Sequence, residues 1–348
     1  MNCDLNGSAE LSILQSMLKP EHLQAETIAA IHLAEKRLRI FLNDREEAER
    51  LIRLGLPFKG AHDVDKKIDL FKANYFSHEM FEALMCGGEG YRPAPIEFVW
   101  NKLCKRRIFH KITGHLPGAF ADQAVNPALL LKHIHDDTFH NLFLPPSGLL
   151  DRYKGAVAAI DVLKNGDERR GSGFIVQLIN RPDQVLITCR HNVDPDDGIT
   201  DIRVSTEGGA ELSVKTAHIS SEYDIALMEL RQPVQGTVFR LGSTATVFDE
   251  VYTLGFPHVV GAFPLLTGHR GEINGFAELF LEKCPAILIS DLVSPGSSGG
   301  PVLNRDGSCI GMTMRWLESE SEGGKTRFSA ALPAKILMDV LGDRTTFF

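Results

Sequence analysis

The stretch Val293-Ser294-Pro295-Gly296-Ser297-Ser298-Gly299-Gly300-Pro301-Val302-Leu303 sets two serines in a glycine-rich turn between apolar runs. A hydroxyl in such a turn becomes a nucleophile only where an imidazole can take its proton and a carboxylate can hold that imidazole's tautomer. A rigid scaffold has to bring such partners together, so they are sought where strands end. His191, just past Val185-Leu186-Ile187-Thr188, and Asp224, at the head of Ile225-Ala226-Leu227-Met228-Glu229-Leu230, meet that requirement. Taken singly, each residue has a plain structural reading: a histidine beside a strand, an aspartate forming a turn, a flexible Gly-Ser-Ser-Gly loop.

The surrounding texture supports a strand scaffold. From Tyr153 onward, short β-prone runs alternate with turn residues, among them 155–163, 173–179, 184–188, 202–205, 211–217, 225–230, 251–254, 286–290, 302–303, 308–314 and 328–331. Many short strands at this spacing predict a β-barrel or sandwich. A terminal helix over 333–341 follows, with Ile336, Leu337, Val340 and Leu341 on its apolar side.

Five motifs then occur in one order: Gly171-Ser172-Gly173-Phe174-Ile175-Val176, Thr188-Cys189-Arg190-His191, Tyr223-Asp224-Ile225-Ala226-Leu227, Gly255-Phe256-Pro257 and Pro295-Gly296-Ser297-Ser298-Gly299-Gly300-Pro301. In that order the chain resembles the trypsin-like serine proteases, most closely their HtrA/Deg branch, over about 153–340. The resemblance implies a chymotrypsin-like double six-stranded antiparallel β-barrel. It implies His191 as general base and then acid, Asp224 as its orienter and Ser298 as nucleophile. The backbone N–H groups of Gly296 and Ser298 would form the oxyanion hole, Leu292 would sit near the floor of the specificity pocket, and Met314, Arg315 and Trp316 would pair with the substrate backbone. Leu292 favours an apolar or small residue before the scissile bond, while Asp291, one position away, leaves a basic preference open. Arg190 needs an outlet to solvent. Ser297 stands where Asn or Asp is usual, so a zymogen switch built on that carboxylate is not expected. A catalytically dead binding module with the same fold is the alternative.

Upstream, Ile28, Ile31, Ala34, Leu38, Phe41 and Leu42 recur at three- and four-residue intervals, the stripe of an amphipathic helix. Further helices are expected over 9–18, 45–54, 63–73, 78–85 and 96–112. The expected organisation is an α-helical bundle over 1–115 acting as a regulatory adaptor, a linker over 116–152 and the protease domain over 153–348. His133, His135, Asp136, Asp137 and His140 suit a divalent cation by type, but no further ligand cluster accompanies them, so no metal and no cofactor is expected.

Most of the net charge of −8 resides in the C-terminal half, with 18 Lys+Arg against 19 Asp+Glu in 1–150 and 19 against 26 in 151–348, which argues against a global nucleic-acid role. The basic run Lys102, Lys105, Arg106, Arg107 and Lys111 reads as a solvated helix face. Residues 1–20 lack a basic region followed by an apolar core, and six scattered cysteines show no C-x-x-C spacing. The expectation is a soluble cytoplasmic protease with protein substrates, without membrane contact or a PDZ module, controlled by a protein partner of its helical domain. Architectures of this kind resemble bacterial antiphage proteases, some with gasdermin-like targets.

Overall fold

The computed structural model describes residues 25–56, 61–87, 93–111, 123–178, 183–207, 209–242, 245–259, 264–280, 283–291, 294–321 and 324–343. The helix expected over 9–18 and Leu292 lie outside them. The chain divides between Gly148 and Leu149 into two compact units.

In the first unit, α1 (Ala25–Asn43) buries Ile28, Ile31, Ala34, Leu38 and Phe41, the stripe expected from the sequence. Asp44 caps α2 (Arg45–Gly55) by accepting from the Glu47 N–H at 3.0 Å. After α3 (Ala61–Lys72) and strand β1 (Tyr75–Phe76), α4 (His78–Cys86) starts on Ser77, whose hydroxyl accepts from Met80 N–H. Helix α5 (Pro93–Lys105) leads into β2 (Phe109–Lys111). The core is aromatic: Phe41, Phe71, Phe76 and Phe109 form edge-to-face pairs with centroids 5.2–5.5 Å apart, the geometry their ring quadrupoles favour.

Two features depart from the expected helical bundle. Strand β3 (Gln123–Val125) pairs antiparallel with both β1 and β2, so this unit is helices around a small three-stranded sheet. Nor is 116–152 simply a linker in its described part. Helix α6 (Pro127–His135), capped by Asn126, and a 3₁₀ turn over His140–Phe143 put Leu130, Ile134, Phe139, Leu142 and Phe143 into the same core. The prolines read as punctuation include Pro127 in the first turn of a helix, where its missing N–H costs nothing.

The second unit begins within α7 (Pro146–Tyr153) and holds twelve strands among its described residues. β4 (Val157–Lys164), β5 (Asp167–Gln177), β6 (Gln184–Thr188), β7 (Ile199–Thr206), β8 (Val214–Ile219) and β9 (Ala226–Leu230) form an antiparallel sheet in the order β7-β4-β5-β6-β9-β8. β10 (Glu250–Gly255), β11 (Thr267–Leu279), β12 (Cys284–Ile289), β13 (Pro301–Asn304), β14 (Cys309–Ser321) and β15 (Gly324–Pro333) close into a barrel, and α8 (Ala334–Asp343) follows. Only the second of the two expected six-stranded barrels closes through its hydrogen bonds. The first remains a six-stranded sheet whose edges, β7 and β8, do not pair with each other.

Candidate active site

The site is built from three chain segments that leave or enter strands. His191 sits in the 3₁₀ turn Arg190–Asn192 directly after β6, and Asp224 lies in the turn just before β9. β6 and β9 are paired neighbours, with Thr188 opposite Ala226, so their ends bring the two side chains together. Asp224 Oδ1 accepts the His191 backbone N–H at 3.0 Å, and Oδ2 lies 2.7 Å from His191 Nδ1. An ionised carboxylate only accepts, so Nδ1 carries a proton, and in the neutral ring the lone pair is on Nε2. Burial alone would push the Asp224 carboxyl up. The hydrogen bond and attraction of His191, its backbone N–H and the Arg190 charge outweigh that and hold the carboxyl below its ordinary value. Arg190 finds its outlet at the surface, 3.8 Å from Asp194.

Ser298 stands on the turn that enters β13. Its backbone carbonyl accepts from Ser172 N–H at 2.8 Å and from Asn192 Nδ2 at 3.0 Å. Asn192 Nδ2 also donates to Thr188 Oγ1, whose hydroxyl donates to the Ser172 carbonyl at 2.7 Å. Ser172 Oγ in turn donates to the Gly296 carbonyl at 2.6 Å and accepts the Phe256 N–H at 2.8 Å. The motifs around 172, 188, 192 and 256 are thus one hydrogen-bonded frame that fixes the serine turn from behind. Ser172 and Asn192 are positioning residues to which sequence reasoning gave no role, although both lie inside or beside its motifs. A polar residue one place from a candidate histidine was the available signal.

The turn conformation demands glycine at two places. Gly296 has φ +97°, and a Cβ there would come within 2.7 Å of the Phe256 carbonyl and 2.8 Å of His258 N. Gly299, at φ +90°, would place a Cβ 2.1 Å from the Ser172 carbonyl. An L side chain would be strained at both positions and has no room. The Pro295 carbonyl accepts from His258 N–H and the Ser297 carbonyl from Gly300 N–H. Across a trans peptide the C=O and the following N–H point opposite ways, so the N–H groups of Gly296 and Ser298 turn away from those contacts. Neither N–H has a hydrogen-bond acceptor among the described residues.

The serine hydroxyl is directed to an unexpected place. Ser298 Oγ donates to the Met314 carbonyl at 2.7 Å, and among the described residues no hydrogen bond joins it to His191. The cause lies in β14. Its pairing with β15 shifts register between Thr313 and Arg315, leaving Met314 as an extra residue in the ladder. Such a bulge re-aims the backbone at that point. Thr313, just before it, holds the serine turn by accepting Gly299 N–H at 2.7 Å and donating to the Gly300 carbonyl at 2.8 Å.

Of the residues expected to bind substrate, Met314 and Arg315 thus lie on the strand beside Ser298, and Trp316 follows them on β14 opposite Ser329. The Asp291 carboxylate is no open counter-ion. It is buried, takes the Thr253 hydroxyl and faces His269 Nδ1 at 3.9 Å. Cys189, His191 and Asp224 offer ligand atoms within 4.8 Å of one another. They do not fit a resident metal. His191 Nδ1 is committed to Asp224, and burial first, then the Asp224 charge, pushes the Cys189 thiol well up, so it stays protonated and inert.

Residues 171–312 match the family model of the trypsin-like peptidase domain. A probable periplasmic DegP-like serine endoprotease of Pseudomonas savastanoi pv. phaseolicola is 28% identical over 186 residues, covering 50% of this chain and 36% of the relative. One from Pseudomonas fulva is 30% identical over 176 residues, covering 49% and 33%. The matched part is about a third of the length of these relatives. Among solved structures, the HtrA-type protease AlgW with tripeptide is similar over 57% of this chain and 63% of its own, with 22% identity and a TM-score of 0.46. Residues 171–312 are thus similar to the trypsin-like peptidase domain, and about half of the chain is similar to part of these DegP-like serine endoproteases.

Proposed function

We propose that this chain is a serine endopeptidase in which Ser298 attacks the scissile carbonyl, His191 Nε2 takes the hydroxyl proton, and Asp224 holds the imidazole and stabilises the cation. The observation that supports it most is the His191–Asp224 pair, bonded through both carboxylate oxygens, on the same hydrogen-bonded frame that holds the Ser298 turn. The protonated imidazole then gives its proton to the leaving amine, an acyl-serine remains, and water activated by the same nitrogen hydrolyses it. The developing oxyanion is received by the N–H groups of Gly296 and Ser298, which have no other acceptor among the described residues.

The Ser298 hydroxyl must first leave the Met314 carbonyl. A substrate strand laid along Met314, Arg315 and Trp316 supplies the means, because its backbone N–H groups compete for carbonyls on that strand. We assign an apolar or small residue before the scissile bond to the neighbourhood of Leu292, since the nearby Asp291 carboxylate is already engaged. Control by a partner of the first unit, cytoplasmic location and a bacterial stress or antiphage role with a gasdermin-like substrate belong to the same proposal. The location draws support from the free thiols of the five cysteines among the described residues, and the regulation from the resting contact of Ser298.

A fluorophosphonate probe reads the central assignment directly. The wild-type protein is expected to be labelled and Ser298→Ala to be silent. Equal labelling of the alanine variant would sink the assignment of Ser298. Silence of both with partner binding retained would favour the second reading, a binding module, which the Ser298–Met314 hydrogen bond makes worth testing. Sequencing new N-termini in cells with the active enzyme and with Ser298→Ala gives the residue before the cut, and cleavage only after Arg or Lys would overturn the apolar preference. Subcellular fractionation tests the location.

A further inference from the structure

The row of histidines and aspartates at 133–140 does not act together. His133 Nδ1 is bonded to Thr138 Oγ1 at 2.9 Å, and His135 Nδ1 lies 3.0 Å from Asp136. His140 leaves the row and meets α1, where His32 and Glu35 are three residues apart and so share a face. One ligand atom from each of His32, Glu35 and His140 lies within 4.8 Å of the other two.

We propose that His32, Glu35 and His140 bind a divalent transition cation of the Zn²⁺ class, clipping α1 to the 3₁₀ turn over His140–Phe143. Two imidazoles and a carboxylate are a donor set suited to that ion. Bonds of about 2.0–2.2 Å in a tetrahedral array put neighbouring ligand atoms roughly 3.4 Å apart, and His140 Nδ1 stands 3.5 Å from Glu35 Oε2. The 4.8 Å limit on the remaining separations is closed by about an ångström of side-chain movement. The second oxygen of Glu35 is already held: Arg39 Nη2 donates to Oε1 at 2.5 Å and Nε at 3.1 Å, while Nη2 also reaches the Ile134 carbonyl at 3.3 Å. A ligating carboxylate oriented by a hydrogen bond on its other oxygen is the usual outer support of a metal site.

A second observation points the same way. His32 Nδ1 is shielded from water and, among the described residues, has no hydrogen-bond partner. A buried imidazole nitrogen left without a partner carries a desolvation cost that a bound ion removes. His32 as a residue is only partly buried, which gives the ion a way in. The competing arrangement is the Glu35 carboxylate paired with Arg39 and a protonated His140, which would leave His32 outside the ion pairs.

The test uses the full chain and Zn²⁺ or Co²⁺ alone. Titration of wild-type protein against a chromophoric chelator is expected to show a site that raises the melting temperature by mass action. His32→Gln is expected to weaken that site at least about tenfold and abolish the thermal shift, because it removes a ligand. His135→Gln, away from the trio, is expected to change neither. Equal binding by His32→Gln, or no binding by wild type beyond the chelator's competition, would overturn the proposal. His140 is buried and its replacement risks the fold, so the second measurement needs no variant. X-ray absorption of the Zn²⁺-loaded wild type at one equivalent must show imidazole and oxygen neighbours only. A sulfur neighbour would place the ion on a cysteine instead and overturn the assignment.

Discussion

The two sides of the candidate active site stand in different states. On the sheet side, His191 and Asp224 are locked by two hydrogen bonds between neighbouring strand ends. On the barrel side, the backbone of the serine turn is fixed by Ser172, Asn192 and Thr313, yet the Ser298 hydroxyl points to Met314. His191 and Asp224 are bonded to each other, whereas the Ser298 hydroxyl is bonded elsewhere. Rotamer changes are cheap and fast compared with rebuilding a loop. Under the proposed mechanism, control falls to the strand that carries Met314 rather than to the histidine–aspartate pair.

The largest expected effect breaks the sheet side. Asp224→Asn removes the acceptor that fixes the tautomer and should lower kcat on the order of 10⁴-fold while leaving the fold intact, as read by steady-state kinetics and circular dichroism. The same carboxyl makes a pH prediction. Its folded value is held below its ordinary one, so its contribution to stability is complete above the unfolded value, about 3.9, and is lost as pH falls through the lower folded value. The difference in urea midpoint between wild type and Asp224→Asn should thus shrink as pH falls below about 4. A gap that persists undiminished well below that pH would contradict the bonding described for Asp224.

Next in size are changes to the frame of the serine turn. Gly296→Ala meets the Phe256 carbonyl at 2.7 Å and asks an L residue to hold φ +97°. The displaced N–H should cost about 10²–10³ in kcat, with little change in the His191–Asp224 pair by histidine NMR. Ser172→Ala strands two buried partners, Gly296 O and Phe256 N–H, and should destabilise by about 1–3 kcal/mol with a smaller loss of kcat. Retained stability in Ser172→Ala would mean that the frame does not depend on that hydroxyl.

The same contrast explains what the sequence disclosed. Short apolar runs such as Gln184–Thr188 are read correctly because a strand buried between others is apolar at nearly every position. The longer β11 escaped notice. Over Thr267–Leu279 it alternates exposed residues with half-buried ones and the buried Ile273 and Leu279, and Gly268, Gly271 and Gly275 interrupt the β-prone pattern. The small sheet of the first unit was equally hidden, since two- and three-residue strands have no period to detect. Motif order brought His191, Asp224 and Ser298 forward, while the roles of Ser172 and Asn192 arise from hydrogen bonds spanning 124 and 106 residues of chain. The bulge at Met314 is a register shift between two strands, and register is not written in either strand alone. His32 and His140 likewise meet only through folding.

The smallest expected effect sharpens the barrel side. Ser297, next to Ser298, is 6% exposed, and its hydroxyl has no hydrogen-bond partner among the described residues. Its backbone supports the turn, donating to Ser294 O and accepting from Gly300 N–H, and those bonds do not need the side chain. Ser297→Ala removes a buried hydroxyl that gains nothing from the fold, so stability should hold or rise by up to roughly 1 kcal/mol. Its kcat should stay within about twofold of wild type, because neither N–H of the turn is reached through that hydroxyl. A loss of tenfold or more would show that Ser297 takes a partner when the site is engaged. Control would then lie in the turn itself, and the contact of Ser298 with Met314 would be its consequence rather than its cause.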